Sequence, residues 1–436
     1  MHMFHLFRSD ESTHIPGHKE QTQDKEIISY DPDFVYIPCE DRRGNPLSGL
    51  LPIGTEVKKG TLLGKLRPDC FPIYSSVSGK ITGRQKRRTS AGIVLNCFVI
   101  ENDHKNEWTE LKTLSSAENC SGKTIVDAIK ESGVVGFSGT GLPAFQKFNF
   151  GKPVNYLIVN AIECEPFLTT DYVYCAKNRE YLFLGLPYLL KASGAKKVAF
   201  CTKKNMPSLI EKCQEMREKY SSLPVELVLT KDAYPRGYER NLVTLITGKE
   251  YGDLPIEAGC IVDNIYTLIS LGRYFTEGKV ADRRCITISG EVANPVNILS
   301  PYGVYAKELL ALAKFTPNDS LKILNGGPRT GNELADDRFI LLHQADGITV
   351  LKKNNLRAEP CRHCGNCCEA CPRDLQPVQI QMAYLANDLH RRIGLEADRC
   401  CECGLCSYQC PSRIEVSQNV RKAKTLVIQA KKEEKR

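Results

Sequence analysis

Two cysteine runs near the end of the 436-residue chain have the spacing of iron–sulfur ligands. Each run reads C-x2-C-x2-C-x3-C-P, a pattern that binds a [4Fe–4S] cluster. Where two such runs occur together, the fourth cysteine of each ligates the other cluster. We therefore expect two crossed ligand sets, one of Cys361, Cys364, Cys367 and Cys410, and one of Cys371, Cys400, Cys403 and Cys406. Cys368 and Cys401 are expected to be bystanders, because either one would break the x2 spacing.

A pair of zinc sites is the main alternative for these cysteines. Zinc sites usually combine two separated C-x2-C pairs or include histidine. A third close cysteine followed by x3-C-P, present twice, favours clusters instead, and we do not expect His363 to be a ligand. Two clusters in one segment indicate that electrons pass through it.

The composition is that of an ordinary globular protein, with 42% hydrophobic and 25% charged residues. The length allows two to four domains. No apolar run approaches the roughly 18 residues that a membrane span needs, and the first eight residues lack the features of a signal peptide. We therefore expect a cytoplasmic protein that reaches a membrane only through partner subunits. Ten further cysteines are scattered singly and are expected to be buried, reduced thiols.

The chain is basic, with a net charge of +8. Residues 352–436 hold 16 lysines and arginines against 10 aspartates and glutamates. A solvated surface is the default interpretation of this excess, and compensation of cluster charge or docking of an acidic redox partner is the alternative. No basic–aromatic pattern suggests nucleic-acid binding. His2, His5, His14 and His18 have no metal-site spacing and are expected to be exposed.

The middle of the chain alternates between strand and helix patterns. We predict strands at 154–159, 197–201 and 225–229, with helices at about 172–193 and 206–220 between them, hence a parallel sheet. Ligands bind such sheets at the carboxyl ends of the strands. The first strand ends in Asn160-Ala-Ile-Glu163-Cys164-Glu165-Pro166, which is either a polar site or a solvated loop.

A glycine-rich loop precedes this sheet. After a predicted helix that ends at Gly133, the chain reads Gly136-Phe-Ser-Gly139-Thr-Gly141, with Lys147 nearby. Glycines let backbone N–H groups approach a phosphate, to which a lysine adds positive charge. A tight turn without a ligand has the same pattern, and spacing alone favours that turn. The loop matches neither the Walker motif nor the Rossmann fingerprint.

The remaining segments have simpler patterns. Residues 1–35 are expected to be an irregular lead-in. Residues 36–101 predict short strands that resemble the barrel-sandwich hybrid of biotinyl and lipoyl carriers, with Lys80 as a surface residue. Residues 283–350 predict a small α+β unit with a helix near 306–313. A polar linker at 352–360 leads to the cysteine runs, and a basic helix ends the chain.

Taken together, the glycine loop and Asn160–Pro166 resemble one family closely. This family is the C subunit of the Rnf complex, a membrane-associated ferredoxin:NAD⁺ oxidoreductase, and it is related to the NADH- and FMN-binding subunit of respiratory complex I. Further matches are Tyr234–Glu239 and Val262–Thr267. The resemblance implies a multidomain α/β and α+β protein with four parts: a barrel-sandwich hybrid at 1–115, an FMN/NADH-binding α/β domain at 120–275, an SLBB β-grasp domain at 283–350 and a two-cluster ferredoxin-like helical domain at 356–425.

The same resemblance implies a cofactor site but singles out no catalytic residue. FMN would lie over the glycine loop and NADH would stack on it. The implied cofactor-binding residues are Gly136, Gly139, Gly141, Lys147, Asn160, Glu163, Glu165, Glu239, Asn264 and Thr267. The chain departs from the family pattern at Ser138, Thr140 and Leu142 in the loop, and at Glu40–Pro46.

The implied function is electron transfer. NADH gives up two electrons as a hydride, whereas a cluster accepts one electron at a time, so a flavin must stand between them. The implied partners are the membrane subunits and the ferredoxin-like B subunit, with ferredoxin itself indirectly, at the cytoplasmic face of the membrane. Two other functions stay open. One is a soluble NADH-dependent reductase of a specialised acceptor, such as a cobalamin reductase or a proline-reductase partner, and the other is a scaffold that only relays electrons.

The crossed ligation predicts which cluster a single substitution damages. Cys371→Ser is expected to impair the cluster that begins at Cys400, because Cys371 is that cluster's fourth ligand. Site-resolved EPR of the reduced protein measures this, with the bystander substitution Cys368→Ser as the control. Loss of the cluster that begins at Cys361 would refute the crossed assignment.

Overall fold

The computed structural model describes residues 15–137, 141–354 and 356–434. Three of the four N-terminal histidines, His2, His5 and His14, lie outside these ranges. All twenty cysteines lie inside them as free thiols, and eight of the ten scattered ones are buried, as expected. None of the helices in the described ranges is long and apolar enough to cross a membrane.

Seven short strands lie within the described residues 15–102: β1 (Ile27–Ser29), β2 (Phe34–Pro38), β3 (Glu56–Val57), β4 (Leu62–Leu66), β5 (Phe71–Tyr74), β6 (Gly79–Arg88) and β7 (Val94–Asn102). An antiparallel sheet has the order β2-β7-β6-β3, and β4 pairs separately with β5. Val35, Ile37, Phe98 and Ile100 are fully buried and fill the core of this unit together with Leu63 of β4. This shared core packs the two sheets together as a sandwich.

Strand β1 corrects the expectation of an irregular lead-in. Residues 27–29 pair in parallel with residues 297–299, far along the chain. A three-residue edge strand is too short to leave a periodic pattern in the sequence, since its partner determines its conformation. The lead-in is thus tied to the second half of the protein.

The central layer is the predicted parallel sheet. It has the order β10-β9-β8-β11, and all three strand pairs are parallel. Its elements are α1 (Gly122–Glu131), β8 (Tyr156–Asn160), α2 (Thr170–Ser193), β9 (Lys197–Lys203), α3 (Pro207–Lys219), β10 (Val225–Thr230), α4 (Glu239–Thr247), β11 (Cys260–Asn264) and α5 (Ile265–Glu277). The predicted strands and helices of this layer are confirmed to within a few residues.

Helices α2 and α5 approach each other closely because glycines face each other where they cross. A Cβ atom at Gly185 would lie 2.8 Å from the Cα of Gly272. A Cβ atom at Gly272 would overlap the carbonyl oxygen of Tyr181. Since α2 follows β8 after a loop and α5 directly follows the adjacent strand β11, this contact packs the two strand–helix units together.

A mixed six-stranded sheet follows, with the order β1-β13-β12-β16-β14-β15. Its further elements are β12 (Arg283–Gly290), β13 (Val296–Pro301), α6 (Ala306–Leu312), β14 (Leu321–Asn325), β15 (Asn332–Leu334) and β16 (Gly347–Lys352). Helix α6 packs on this sheet through Leu309 and Leu310. A linker that contains no helix or strand in its described residues, 353–354 and 356–360, then leads to the cysteine segment.

The last part of the chain is helical. Its helices are α7 (Asn366–Glu369), α8 (Pro377–Leu385), α9 (Leu389–Gly394), α10 (Leu405–Tyr408) and α11 (Val416–Glu434). Ile380 of α8 packs with Val416, Val420 and Val427 of α11 in a small core of its own. The two short helices α7 and α10 each lie within one cysteine run.

The helix crossing gives a stability prediction. Gly272→Ala is expected to destabilise the protein by about 1–3 kcal/mol, because overpacking a tight contact forces backbone shifts. Gly394→Ala is the matched control, since Gly394 also lies in a helix but a Cβ atom there meets nothing within 4 Å. Thermal unfolding followed by circular dichroism measures both. An equal effect of the two substitutions would contradict the close-contact account.

Candidate functional site

Two asparagines lie side by side where the adjacent parallel strands β8 and β11 end. Asn160 and Asn264 are register partners in the sheet. Asn264 caps α5, because its Oδ1 accepts a hydrogen bond from the Tyr266 N–H at 2.8 Å, and its Nδ2 donates to Asp171 Oδ2 at 2.5 Å. Asn160 Nδ2 donates to the Gly237 carbonyl oxygen at 2.8 Å. The carboxyl edge of the sheet thus presents two oriented amides.

Glu163 caps the N-terminus of the long helix α2. Its Oε1 accepts hydrogen bonds from the Thr170 hydroxyl and the Asp171 N–H, each at 3.1 Å. A carboxylate at this position stabilises the helix through its unpaired N–H groups and its dipole. The lead-in reinforces the loop, since buried Lys19 donates to the carbonyl oxygens of Glu165 and Leu168.

Glu165 points away from the asparagines and into the six-stranded unit. Its Oε1 accepts hydrogen bonds from the backbone N–H groups of Arg329 at 2.7 Å and Thr330 at 3.1 Å. Burial raises the pKa of this carboxyl, although these N–H groups counteract the rise. A Cβ atom at Gly327 would overlap the carboxylate, so only glycine admits it. Glu165 therefore joins two structural units.

The glycine loop lies against helix α5. The Gly136 N–H donates to the Leu142 carbonyl oxygen at 2.7 Å, and Gly141 has a φ of 69°, which favours glycine. The Phe137 N–H donates to Thr267 Oγ1 at 3.1 Å, which places buried Thr267 directly behind the loop. Gly139 lies outside the described residues.

Lys147 takes part in a charged cluster at the same sheet edge. Its Nζ lies 2.6 Å from the Val262 carbonyl oxygen, 3.0 Å from Asp263 Oδ1 and 4.0 Å from Glu239 Oε2. Asp263 is buried and burial raises its pKa. Its Oδ2 has no hydrogen-bond partner within the described residues. The cluster therefore contains one buried carboxylate oxygen that no donor of the described residues reaches.

Arg284 is a site residue that no sequence pattern indicated. It is buried, and its guanidinium carbon lies 3.9 Å from the ring centroid of Tyr266 and 4.7 Å from that of Phe137. Its Nη2 lies 3.9 Å from Asp171 Oδ1. Arg284 belongs to β12 of the six-stranded sheet, so only the tertiary structure brings it to the glycine loop. It supports the loop from behind through Phe137.

The cysteines line two cavities, and the partition is the crossed one. Cys371, Cys400, Cys403 and Cys406 line a first cavity, which we call the inner cavity, and bystander Cys401 also contacts it. Cys361, Cys364, Cys367 and Cys410 line a second, the outer cavity. Within the described residues, no three metal-ligating side chains converge on a single point. Each set surrounds a volume instead.

The backbone around the two cavities repeats after 39 residues. Three left-handed conformations recur at matching positions, at His363, Gly365 and Asp374 and again at Glu402, Gly404 and Arg413. In the first copy the His363 N–H donates to Cys361 Sγ at 3.4 Å, and in the second the Glu402 N–H donates to Cys400 Sγ at 3.3 Å. Such hydrogen bonds to sulfur tune iron–sulfur clusters. The donor sets and their backbone therefore fit two clusters.

Tyr234 connects the sheet edge with the inner cavity. Its hydroxyl donates to the Cys403 carbonyl oxygen at 2.6 Å and pairs with the Tyr238 hydroxyl at 2.9 Å. Tyr234, Cys403 and Leu405 are buried together, with Cys164 packed against them. Asn160 holds the Gly237 carbonyl oxygen, three residues after Tyr234. One short segment thus contacts both sites.

Buried Asp171 gives a pH-dependent prediction. Burial, and then the nearby Glu163 carboxylate, raise the pKa of Asp171 to about 7, against the opposing effects of Arg284 and Asn264. An aspartate in an unfolded chain has a pKa of about 3.9. The folded state therefore loses stability as the pH rises from about 4 to 7, because it must then bury an ionised carboxylate.

Asp171→Asn is accordingly expected to raise the melting temperature relative to the wild type at pH 8, with no difference at pH 4. Thermal unfolding across this range tests the expectation. Asp319→Asn is the control, because Asp319 is exposed. A gain at pH 8 that persists unchanged at pH 4 would show that ionisation of Asp171 is not the cause.

Comparison with known proteins gives matches over most of the chain. Residues 7–105 match the RnfC barrel sandwich hybrid domain, and residues 129–273 match the Nuo51 FMN-binding domain. These matches confirm the predicted barrel-sandwich hybrid domain and the predicted FMN-binding α/β domain. In fold, the chain is similar to an NAD⁺-reducing [NiFe]-hydrogenase, with a TM-score of 0.51 and 19% identity over 70% of this chain and 63% of that one.

Two curated relatives are similar in sequence. The C subunit of the proton-translocating ferredoxin:NAD(+) oxidoreductase complex of Clostridium ljungdahlii is 31% identical, over 85% of this chain and 82% of its own. The C subunit of the Na(+)-translocating ferredoxin:NAD(+) oxidoreductase complex of Acetobacterium woodii is 29% identical, over 84% of this chain and 85% of its own. By its sequence, and by the matches of its first two domains, the chain belongs to the family of C subunits of ion-translocating ferredoxin:NAD(+) oxidoreductase complexes.

Proposed function

We propose that this chain exchanges a hydride between NAD(H) and FMN and passes single electrons through two [4Fe–4S] clusters. It does so as the C subunit of a ferredoxin:NAD⁺ oxidoreductase complex, which its relatives are named for. The match to an FMN-binding domain supports the flavin step. Bound FMN supplies the conversion between a two-electron and a one-electron carrier.

The hydrogen bond from Tyr234 to Cys403 carries the proposal. It joins the segment that Asn160 holds to the wall of the inner cavity. A redox centre at the sheet edge and one in the inner cavity would therefore be neighbours. The order of transfer is then nicotinamide, flavin, inner cavity and outer cavity, or the reverse.

The crossed cysteine sets would hold the two clusters. The inner cluster takes Cys371, Cys400, Cys403 and Cys406, and the outer cluster takes Cys361, Cys364, Cys367 and Cys410. A [4Fe–4S] cluster presents one iron to each thiolate, so its ligands surround a volume, as each set does here. Burial raises the pKa of the Cys406 thiol to about 12, and bound iron would supply the positive charge that a thiolate needs there.

At the sheet edge, the residues present fit a flavin. The glycine loop allows close backbone approach, Lys147 presents a side chain that is 36% exposed at this edge, and the unpartnered Oδ2 of Asp263 would accept a hydrogen bond from a hydroxyl or N–H donor. The set that we propose is Gly136, Gly139, Gly141, Lys147, Asn160, Glu163, Glu165, Glu239, Asn264 and Thr267. Among these, Glu163, Glu165 and Thr267 act by fixing the loops, because their oxygens accept hydrogen bonds from the chain itself.

The domain plan completes the proposal. Residues 283–350 form an SLBB β-grasp domain and residues 356–425 a two-cluster ferredoxin-like domain, after a hybrid domain at 1–115 and a flavin domain at 120–275. Other subunits of the complex, among them a ferredoxin-like B subunit, hold the chain at the cytoplasmic face of the membrane.

Anaerobic purification tests the function directly. We expect one FMN and about eight iron atoms per chain. Addition of NADH is expected to bleach the absorbance of the flavin and of the clusters rapidly. Lys147→Met is expected to lower the FMN content while the iron content stays unchanged, because the lysine lies at the sheet edge and not at the cavities. A protein that contains no flavin and is not reduced by NADH would overturn the proposal.

A further inference from the structure

The inner and outer cavities differ in the number of thiols that line them. Five cysteines line the inner cavity, namely the four predicted ligands and Cys401. Four line the outer cavity, and Cys368, the other extra cysteine of the segment, is not among the residues that line it. A [4Fe–4S] cluster takes one thiolate for each of its four irons. The inner cavity therefore contains one thiol more than a cluster needs.

The extra thiol occupies a defined position in the 39-residue repeat. Arg362 holds the position in the first copy that Cys401 holds in the second. The Arg362 side chain is exposed and donates a hydrogen bond to the Glu359 carboxylate. The difference in thiol number between the two cavities thus arises at a single position of the motif.

Cys401 lies on the same side of the inner cavity as the ligand Cys403. Both side chains pack in the group that surrounds Tyr234 of the central layer. The other three inner ligands pack instead against the core of α8 and α11: Cys371, Cys400 and Cys406. Of the four ligands, Cys403 is therefore the one whose place Cys401 can take.

The backbone around the two thiols is held in place. Lys424 Nζ donates to the Cys400 carbonyl oxygen at 2.8 Å. The Tyr234 hydroxyl donates to the Cys403 carbonyl oxygen at 2.6 Å. These contacts hold the chain on both sides of Cys401, so its thiol exchanges places with that of Cys403 by side-chain rotation. A cysteine side chain has three staggered positions, and such a rotation needs no change of fold.

Positive charge lies beside the Cys401 thiol. The guanidinium of Arg373 and the ammonium of Lys424 both act on it. Arg373 is buried and lines the inner cavity. Neighbouring cations favour the thiolate, which is the form of cysteine that binds a metal. The surroundings of Cys401 therefore suit a metal ligand.

We propose that Cys401 is an alternative ligand of the inner cluster, which binds the iron of Cys403 when Cys403 does not hold it. The inference rests on the proposed function, because it requires a [4Fe–4S] cluster in the inner cavity. It adds a fifth thiol to that site and places the exchange on the side next to Tyr234, which faces the flavin domain. Among the described residues that line the outer cavity, no further thiol takes this role.

The exchange involves one iron–sulfur bond and one proton. The bond from iron to the Cys403 sulfur breaks, the bond to the Cys401 sulfur forms, and the proton of Cys401 passes to Cys403. No electron is transferred, so the number of thiolate ligands and the total charge of the site stay the same. Where residue 403 is replaced by alanine, the proton of Cys401 passes to solvent instead.

The test is the iron content of ligand variants purified anaerobically. Cys403→Ala is expected to keep about eight irons per chain, because Cys401 completes the inner site. Cys364→Ala removes the equivalent ligand of the first copy and is expected to keep about four irons, because the outer cavity has no fifth thiol. An equal loss of iron from the two variants would overturn the proposal.

Two further variants assign the retained cluster to Cys401. Cys401→Ala together with Cys403→Ala is expected to keep about four irons, whereas Cys401→Ala alone is expected to keep about eight. An inner cluster that survives in the double variant would show that Cys401 is not the replacing ligand. Loss of the inner cluster from Cys401→Ala alone would also contradict the proposal, since Cys401 would then be an ordinary ligand.

Cys403→Ser guards against misfolding of the alanine variant, because it changes one atom and preserves the packing against Tyr234. A soft thiolate suits an iron–sulfur cluster better than a serine oxygen does, so Cys401 is expected to displace Ser at this position. The EPR spectrum of the reduced inner cluster in Cys403→Ser should therefore change when Cys401→Ala is added. Identical spectra with and without Cys401 would refute the exchange.

The wild type keeps the two proposals apart. A wild-type protein without iron would defeat the proposed function, and this inference with it. A wild type with about eight irons whose Cys403→Ala variant contains about four would defeat the alternative ligand alone. The FMN content is expected to be the same in all these variants, because their substitutions leave the sheet edge unchanged.

Discussion

The carboxylate of Glu163 at the N-terminus of α2 is the interaction on which the rest of the arrangement depends. A 24-residue helix begins with unpaired N–H groups, and Glu163 accepts hydrogen bonds from the first of them, so the loop between β8 and α2 has one conformation. That loop carries Asn160 on one side and Glu165 on the other. Lys19 of the lead-in donates to the Glu165 carbonyl oxygen in this loop, and the Arg329 N–H of the six-stranded unit donates to the Glu165 carboxylate. Cys164 of the same loop packs near Cys403.

Burying charge at this junction is costly, and the structure reduces the cost by pairing. Asp263 is paired with Lys147, and Asp171 lies near Arg284, while the hydrogen bonds from backbone N–H groups compensate Glu165. The compensation is incomplete, because Asp171 Oδ1 and Asp263 Oδ2 have no hydrogen-bond partner among the described residues. Unpaired buried acceptors beside a glycine loop are a costly feature for stability alone. A bound cofactor with donor groups would remove that cost, which is why we place the flavin there.

The sequence was most informative where one local rule determined the outcome. The alternation of strand and helix patterns between 154 and 230 predicted the parallel sheet, because each element is long enough to show its period. The cysteine spacing predicted a crossed partition, and the cavities have the same partition. Strand β1 and Arg284 were missed, since a three-residue edge strand and a single buried arginine have no local signature. The contact between the Glu165 carboxylate and the Arg329 turn could not be predicted from the sequence either, because the two residues lie 164 positions apart.

The 39-residue repeat explains how one motif yields two unequal sites. Both copies have the same left-handed backbone positions and the same N–H donor to sulfur, so their local structures are alike. The difference lies in what packs against each copy. Tyr234 of the central layer packs against Cys403 and Leu405 at the inner cavity, whereas Cys361 and Cys364 at the outer cavity are exposed. Two identical sites in identical surroundings would be equally exposed to solvent. Because one copy is buried against the flavin domain, the pair has a buried inner end and an exposed outer end. What packs against each copy of the motif therefore makes one cysteine set buried and the other accessible.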